Sequence, residues 1–300
     1  MEVTFLGTAC MVPTKERNVQ GIFLSYKNEG ILIDCGEGTQ RQMNLAGINR
    51  HKVTTILVTH WHGDHVGGII GLLQTISNKD ELPKIEIYGP KETKKRVQHL
   101  LDSVVFDSSN LDLKVFELDP KGVETFKEKR DYYIQCSPMN HTTPCIAYSF
   151  VEKDIRKINM AKAKKLGLEE GPEMGKIQTG KSITINGKKI SPEDISVIKK
   201  GRKITFIFDT LPNENSFDLA KDSDLLVTEA VYLSNMKENS EKYKHMTTED
   251  AGLIANKANV KKLIITHFSQ RYKTTDELEE EIKTYFANSS CAFDFMKVKI

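Results

Sequence analysis

The chain has 300 residues, of which 39% are hydrophobic and 28% are charged, a globular composition that excludes a disordered or fibrous chain. Residues 1–7 read as a strand and not as a signal peptide. No apolar run is long enough to span a bilayer, so we expect no association with membranes. Five scattered cysteines without a C-x-x-C pair indicate reduced thiols and a cytoplasmic protein. The net charge of +2 is too small to indicate a nucleic-acid-binding protein, so any such role depends on local charge.

Strands and helices are predicted to alternate through the first half of the chain. β-branched runs predict strands at 3–6, 22–26, 31–34 and 55–59, and the last is almost wholly apolar, as expected of a strand buried on both faces. A mostly apolar surface predicts a helix at 66–76. We then predict a strand at 85–88, a helix at 91–101, and strands near 111–118, 133–137 and 147–151.

Residues 152–203 break this alternation. They contain fourteen Lys or Arg and seven Asp or Glu, a local charge of +7 that leaves −5 for the remainder of a chain whose total is +2. A helix is predicted at 154–165, followed by several glycines and a polar hairpin around Asn186-Gly187. A shift of composition inside the chain predicts an insertion that emerges from a compact body.

Alternation resumes after the insertion, with strands predicted at 204–208, 225–228 and 263–266 and helices near 217–221, 248–257 and 275–287. Strands alternating with helices on both sides of the insertion predict two similar halves, each a sheet covered by helices. We therefore expect one α/β domain over residues 1–300, interrupted at about 152–203.

A cluster of metal-ligand residue types follows the apolar strand at 55–59. His60 and His62 are two apart, so both side chains point to one side of an extended segment. The chain then turns through Gly63, and Asp64 and His65 fall where the next helix begins. Zinc favours imidazole nitrogen, with carboxylate completing a site. One tetrahedral ion cannot readily use all four groups at this spacing, so the pattern predicts two metals. A polar loop with satisfied histidines is the plainer alternative.

Three later strand ends offer further ligands: His141, Asp209 and His267 each follow a predicted strand. Taken singly, Asp209 could be a helix cap or turn residue, and each histidine a polar loop residue. Taken together, six of the eight histidines fall in candidate site segments, all but His51 and His99. The joint pattern favours a metal site at the carboxyl ends of the strands.

These residues resemble the metallo-β-lactamase superfamily, through the H-x-H-x-D-H signature at 60–65 and the His, Asp and His that follow in order. Four more stretches are similar to motifs of the ribonuclease Z family. They are the P-x-K-x-R-N loop at 13–18, the D-x-G-E-G-T-Q-x-Q stretch at 34–42, the H-x-T motif at 245–247 and the H-F-S-x-R-Y motif at 267–272. The metal signature is specific to the superfamily, and the combination is specific to ribonuclease Z.

The resemblance implies a four-layer αββα sandwich with an inserted flexible arm, and two Zn²⁺ per subunit. One zinc would be held by His60, His62 and His141, the other by Asp64, His65 and His267. Asp209 would bridge the two ions. The resemblance also implies a homodimer and a zinc-dependent endoribonuclease that removes the 3′ trailer from precursor tRNA, leaving a 3′-hydroxyl on the tRNA and a 5′-phosphate on the trailer.

Three residues are candidates for proton transfer. Asp64 would accept the proton of the attacking water, and His245, oriented by Glu229, would protonate the leaving oxygen. A surface carboxylate that ends a strand is the plainer interpretation of Glu229.

The insertion corresponds to the tRNA-binding arm of the family, and its stretch at 171–180 is similar to the arm's glycine–proline motif. Lysines on a protruding element would grip the phosphate backbone without reading sequence; a solvated charged loop is the plainer alternative. The residues that the resemblance assigns to RNA contact are Lys15, Arg17, Asn18, Gly171, Pro172, Lys176, Ser269 and Arg271.

Other functions remain open at this point. A phosphodiesterase of the same superfamily acting on small or cyclic nucleotides would need no arm. An RNA-binding protein with a non-catalytic metal centre is disfavoured, because structural zinc sites are usually closed cages of four ligands. A hydrolase of small amides would explain neither the basic insertion nor the motif at 267–272.

Overall fold

The computed structural model describes residues 1–78, 82–105, 107–185 and 187–300. The chain divides into two compact units. The main unit comprises residues 1–128, 134–150 and 203–300, and the inserted unit comprises residues 129–133 and 151–202. The inserted unit thus includes nearly all of the segment whose composition predicts an insertion.

The first sheet of the main unit has seven strands: β1 (Glu2–Gly7), β2 (Gly21–Tyr26), β3 (Glu29–Cys35), β4 (Val53–Leu57), β5 (Lys84–Gly89), β6 (Asp112–Glu117) and β18 (Lys297–Lys299). Their spatial order is β18-β1-β2-β3-β4-β5-β6. The pairs from β18 to β3 are antiparallel, and those from β3 to β6 are parallel. β4 is therefore an interior strand, which agrees with its apolar sequence.

The second sheet also has seven strands: β7 (Glu124–Glu128), β8 (Tyr132–Met139), β9 (Cys145–Glu152), β14 (Lys203–Ile207), β15 (Leu225–Glu229), β16 (Leu263–Thr266) and β17 (Ser289–Cys291). They lie in the order β17-β16-β15-β14-β9-β8-β7. The run from β14 to β17 is parallel, so its carboxyl ends share one edge.

Helices cover the outer face of each sheet. The helices of the main unit are α1 (Thr39–Leu45), α2 (Gly63–Val66), α3 (Ile69–Ser77), α4 (Thr93–Asp102), α8 (Glu214–Ala220), α9 (Lys237–Tyr243), α10 (Thr248–Lys257) and α11 (Asp276–Tyr285), with 3₁₀ turns at Arg50–Lys52, Ser108–Asn110 and Ser234–Met236. Residues of α1, α3 and α4 share one apolar core with the first sheet, and residues of α8, α10 and α11 share another with the second. Between the sheets, the Tyr148 hydroxyl donates to Val58 O at 2.7 Å. The four-layer αββα prediction is confirmed.

The inserted unit contains β10 (Ile155–Ile158), α5 (Met160–Lys165), α6 (Pro172–Gln178), β11 (Ile183–Ile185), β12 (Lys188–Ile190), α7 (Pro192–Ile195) and β13 (Ser196–Lys199). β10 pairs with β13, and β11 pairs with β12. The unit has its own apolar cluster of buried residues: Ala163, Leu168, Ile177, Ile183, Ile190 and Ile195. Of the hairpin predicted around Asn186-Gly187, Gly187 joins β11 to β12, and Asn186 lies outside the described residues.

Two predicted helices are interrupted or partly replaced by another element, beyond small shifts at the ends of others. The helix predicted at 66–76 is wrong in extent, because Gly68 N donates to Cys35 O at 2.8 Å and the chain bends between α2 and α3. The helix predicted at 154–165 is wrong in its first half, where β10 pairs with β13 instead. The side chain of Asn159 then accepts from Lys162 N and starts α5. Among the residues that the structure describes, no helix has the length and apolar character needed to cross a membrane.

Candidate active site

The candidate ligands lie where strands of both sheets end. His60 and His62 follow β4, with α2 beginning at Gly63, while His141 follows β8. Asp209 follows β14, and His267 follows β16 directly. The sequence placed these residues at strand ends, and the fold brings those ends together.

Three polar residues of the site have a left-handed backbone. Asp34, Asp209 and His267 have φ angles of 57°, 38° and 63°, a region that non-glycine residues seldom occupy. Each lies at or just after the end of a strand, and its side chain contacts another residue of the site: Asp34 contacts His65, and Asp209 contacts His267. Such conformations cost on the order of 1–3 kcal/mol and persist only where the surrounding fold enforces them.

Gly36 allows the loop after β3 to pass close to the site. A Cβ added at Gly36 would lie 2.2 Å from the carbonyl oxygen of Asp64, closer than any side chain permits. The glycine of the D-x-G-E-G stretch is therefore required by backbone packing against the segment that carries Asp64 and His65.

The first ligand group consists of three imidazoles and one carboxylate oxygen. His62 Nδ1 lies 3.0 Å from His60 Nε2 and 3.3 Å from His141 Nε2. Asp209 Oδ2 lies 3.5 Å from His60 Nε2 and 3.8 Å from His141 Nε2. These four residues can each direct one atom into a common space.

The second ligand group uses the other oxygen of Asp209. Asp209 Oδ1 lies 3.4 Å from His65 Nε2 and 3.2 Å from His267 Nε2. Asp64 Oδ2 lies 3.5 Å and 3.9 Å from the same two nitrogens. The two oxygens of one carboxylate thus face two different sets of ligands.

The donor set fits two metal ions of the zinc type. Tetrahedral zinc with bonds of about 2.0–2.1 Å separates its ligand atoms by about 3.3 Å, near the separations in both groups. His65 Nε2, His267 Nε2 and Asp209 Oδ1 are buried and have no hydrogen-bond partner in the protein. Buried polar atoms are nearly always satisfied, so these atoms are suited to bind a cation.

Partners outside the ligand groups fix the imidazole rings. His65 Nδ1 lies 2.7 Å from Asp34 Oδ2, and Asp34 also accepts from the amide and the hydroxyl of Thr59. His141 Nδ1 lies 3.0 Å from the carbonyl oxygen of Lys244. Such partners set the tautomer that leaves the other nitrogen free for a metal. Asp34 begins the D-x-G-E-G-T-Q-x-Q stretch but was not predicted as a site residue.

The pKa values of the histidines shift in opposite directions in the two ligand groups. Burial lowers the pKa of His60, His62 and His141, so these imidazoles stay neutral and can donate a lone pair. Burial also lowers the pKa of His65 and His267, but the neighbouring carboxylates together outweigh it, Asp209 first in both cases, then Asp34 for His65 and Asp64 for His267. The pKa of His65 is raised to about 10, and that of His267 to about 9. The second group therefore strongly attracts positive charge.

His245 lies beside the ligand groups and is held by Glu229. The Nδ1 atom of His245 is 3.2 Å from both carboxylate oxygens of Glu229, the last residue of β15, and 3.8 Å from Asp209 Oδ2. Glu229 also accepts from the amides of Thr210 and Met246. Burial lowers the pKa of His245, but Glu229 and then Asp209 raise it to about 9, which favours a protonated imidazole.

The predicted RNA-contact residues of the main unit differ in exposure. Lys15 and Arg271 are exposed, and Ser269 is half-buried. Arg17 is buried, and its Nη2 donates to Tyr272 O at 2.5 Å and to Ser269 O at 3.4 Å. Asn18 Nδ2 donates to Glu37 O at 2.8 Å. The contacts of Arg17 and Asn18 secure the loop that carries Lys15.

The predicted contact residues of the inserted unit lie around α6. Gly171 precedes the helix, Pro172 is its first residue, and both are exposed. Lys176 Nζ is 2.7 Å from Glu173 Oε1, so part of its charge is paired within the same helix.

A cavity of about 1020 Å³ opens beside the ligands. Besides predicted site residues it is lined by residues that the sequence did not single out: Cys10, Met11, Tyr232, Lys242 and Tyr243. Met11 N donates to Asp64 Oδ2 at 2.8 Å, which ties the rim of the cavity to a ligand. These are ordinary residue types in polar surroundings, and no local sequence signal marks them.

Known proteins match the chain over two different extents. A family model described as "Anti-Pycsar protein Apyc1" matches residues 1–155, the half that contains β1 to β9. Relatives named "Ribonuclease Z" match more of the chain. That of Thermococcus kodakarensis is 43% identical over 285 residues, 94% of this chain and 88% of that protein. That of Nanoarchaeum equitans is 38% identical over 271 residues, 90% of this chain and 84% of that protein.

Solved structures share the fold. The crystal structure of human tRNase Z, short form, matches with a TM-score of 0.71 and 25% sequence identity, covering 100% of this chain and 99% of that chain.

Proposed function

The chain belongs to the ribonuclease Z family, and from that premise we propose a role for each group in its site. It is a metal-dependent endoribonuclease of tRNA 3′ processing, which cleaves the trailer from precursor tRNA. Residues 1–155 also fall within the family of Anti-Pycsar protein Apyc1, but the match to ribonuclease Z extends over nearly the whole chain.

The metal is zinc, with two ions per subunit. His60, His62 and His141 would hold one ion, Asp64, His65 and His267 would hold the other, and Asp209 would offer one carboxylate oxygen to each group. The observation that carries this assignment is the position of Asp209, whose Oδ2 faces the first group and whose Oδ1 faces the second. When bound, the ions lower the pKa of a water molecule and neutralise charge on the phosphate.

The protein's own residues move the protons. Asp64 accepts the proton of the attacking water, while the amide of Met11 fixes its carboxylate. His245, protonated and oriented by Glu229, donates to the 3′-oxygen that leaves. Donation at this oxygen produces a 3′-hydroxyl on the tRNA, and the phosphate stays on the 5′ end of the trailer.

The inserted unit binds the body of the tRNA. Its net positive charge and its exposed lysines support this role, since phosphate contacts add affinity without sequence preference. We further propose that the enzyme acts as a homodimer in the cytoplasm. All five cysteines are free, which is consistent with a reducing compartment.

Cleavage of a 3′-extended tRNA transcript by the pure protein tests this function. We expect a mature 3′-hydroxyl end, a trailer with a 5′-phosphate, and loss of activity in a chelator that is restored by zinc. Bis-p-nitrophenyl phosphate serves as the small-substrate control. Hydrolysis of that ester without cleavage of the transcript would contradict tRNA processing and favour a phosphodiesterase of small substrates.

A further inference from the structure

An aromatic side chain lies at the mouth of the cavity, on the same wall as His245. Tyr243 is the last residue of α9, and 47% of its surface is exposed. Lys244 follows with a left-handed φ of 54°, which ends the helix and turns the chain, and His245 comes next. Tyr243 and His245 both line the cavity. The turn at Lys244 therefore places the exposed ring of Tyr243 near His245, the proposed proton donor.

Positively charged side chains lie close to the aromatic rings on this wall of the cavity. Lys242 Nζ lies 5.3 Å from the ring centroid of Tyr243. Tyr232, whose ring centroid is 6.4 Å from that of His245, has the guanidinium of Arg271 at 5.2 Å. Tyr232 is only 7% exposed, whereas Tyr243 is nearly half exposed. Of these two rings, Tyr243 is the one that can offer a face to a ligand.

The chemistry of this wall fits an unpaired nucleotide. A base without a pairing partner stacks on an aromatic ring, and a neighbouring ammonium binds the backbone phosphate. Precursor tRNA is unpaired where the trailer begins, so a base next to the scissile phosphate is free to leave the helical stack. Stacking holds the nucleotide without selecting its identity, which suits an enzyme with many tRNA substrates.

The position of His245 decides which nucleotide this is. His245 donates a proton to the leaving 3′-oxygen, and that oxygen belongs to the last nucleotide of the tRNA. We propose that Tyr243, with Lys242 over one face of its ring, offers the other face as a stacking platform for the base of this last unpaired nucleotide. This inference rests on the proposed function of the site, and it assigns a positioning role to a residue that takes no part in proton transfer.

A combined protein and substrate variation tests the platform. Tyr243→Ala is expected to lower kcat/KM for precursor tRNA by about tenfold, the usual scale for loss of one stacked base. Tyr243→Phe keeps the ring and stays within about twofold of wild type. An abasic last tRNA nucleotide lowers the rate of wild type by about the same factor as Tyr243→Ala, and the two changes together add nothing further. The matched control Phe293→Ala removes an aromatic ring that is 62% exposed and does not line the cavity.

The possible outcomes distinguish failure of the proposed function from failure of the stacking platform. Absence of cleavage by wild type on the intact transcript would overturn the proposed function and the platform with it. Cleavage by wild type with an unaffected Tyr243→Ala variant would overturn the platform alone. Equal losses for Tyr243→Ala on intact and abasic substrates would also overturn it, because the effect would then be structural. If the effect of Tyr243→Ala is instead lost with an abasic first nucleotide of the trailer, the stacked base belongs to the trailer. That result would overturn the assignment to the last nucleotide of the tRNA. If Tyr243→Ala does not fold, wild type must still lose rate with the abasic last nucleotide.

Discussion

The carboxylate of Asp209 is shared between the two ligand groups, and its backbone is held in a left-handed turn with φ 38°. Its oxygens lie 3.2–3.8 Å from imidazole nitrogens of both groups. Wild type is expected to carry close to two zinc ions per chain, and Asp209→Ala is expected to lose both. Elemental analysis of purified protein measures this. Asp218→Ala, an exposed aspartate on α8, is the matched control and keeps both ions. An Asp209→Ala protein with two tightly bound ions would contradict the bridging role.

His245 gives a prediction about the leaving group. His245→Ala is expected to slow cleavage of precursor tRNA by about 10²–10⁴-fold, the range for loss of a general acid. A substrate with a p-nitrophenolate leaving group needs no proton, so the same variant should recover most of its rate there. Rates of wild type and variant on both substrates measure the effect. An equal defect on both would show that His245 positions the phosphate instead.

Asp294 gives a prediction about pH. It is half-buried and accepts from Thr8 Oγ1, Asn18 N and Gln42 Nε2. Burial raises the pKa of Asp294 to about 6, against 3.8 for the exposed group, although the hydrogen bonds from Asn18 and Thr8 and the charge of Arg17 act in the opposite direction. The folded chain thus holds the proton more tightly than the unfolded chain. The contribution of Asp294 to stability is full below pH 3.8 and is lost as the pH rises through about 6.

The pH dependence of stability is tested by comparing the free energy of unfolding of wild type with that of Asp294→Asn, which has no titratable group at this position. Between pH 5 and pH 7.5, wild type should lose about 1 kcal/mol in free energy of unfolding relative to the variant. Urea denaturation at the two pH values gives both free energies, and the titration of the ligand histidines cancels in the difference. A difference independent of pH would contradict the prediction.

At the scale of elements, the inserted unit can be shortened while its paired strands β10 and β13 are kept. Ile158 pairs with Ser196 in the β10–β13 ladder, so replacing residues 159–195 by Asn-Gly closes a two-residue hairpin. We expect this variant to hydrolyse bis-p-nitrophenyl phosphate like wild type and to show a KM for precursor tRNA raised by about tenfold or more. Replacing Lys162, Lys164 and Lys165 of α5 by alanine keeps the fold and should give part of the effect. Equal losses on both substrates would contradict a role confined to RNA binding.

The sequence predicted elements well where local periodicity sufficed. α10 and β16 begin and end where predicted, because their apolar patterns are clear. The strand β10 was predicted as helix, since its pairing with β13 joins residues some forty positions apart. The polar strand β7 was not predicted; its Lys127 is buried against Glu86 and Thr55, at 2.6 Å from each. No local pattern indicates such a partner.

The site was predictable to the extent that its chemistry is distinctive. Imidazoles and carboxylates at strand ends are few, so the seven ligand candidates could be selected from the sequence alone. Asp34 was missed as a site residue because its role depends on a contact with His65, which lies on another element. Tyr243 was missed because a tyrosine that ends a polar helix is unremarkable until its position beside the cavity is known.

At the scale of the whole molecule, charge is distributed unevenly. The total is +2, yet residues 152–203 carry +7 and the rest carries −5. Binding of precursor tRNA by wild type should therefore weaken steeply with added salt, because bound phosphates release counterions. The variant lacking residues 159–195 should show a shallower slope in a plot of log Kd against log salt concentration. Identical slopes for the two proteins would contradict binding through the inserted unit.

Both ends of the inserted segment meet at one place. Glu152 N donates to Arg202 O at 2.8 Å, and Arg202 Nε donates to the Glu152 carboxylate at 2.8 Å. Because the segment begins and ends at neighbouring residues, it can be exchanged, lengthened or deleted with little effect on the strand order of the two main sheets. If the inserted unit binds RNA as proposed, a change in this segment would alter RNA binding and leave the metal ligands unchanged. On the same proposal, a different RNA-binding module placed between Glu152 and Arg202 is expected to change which RNA the enzyme binds.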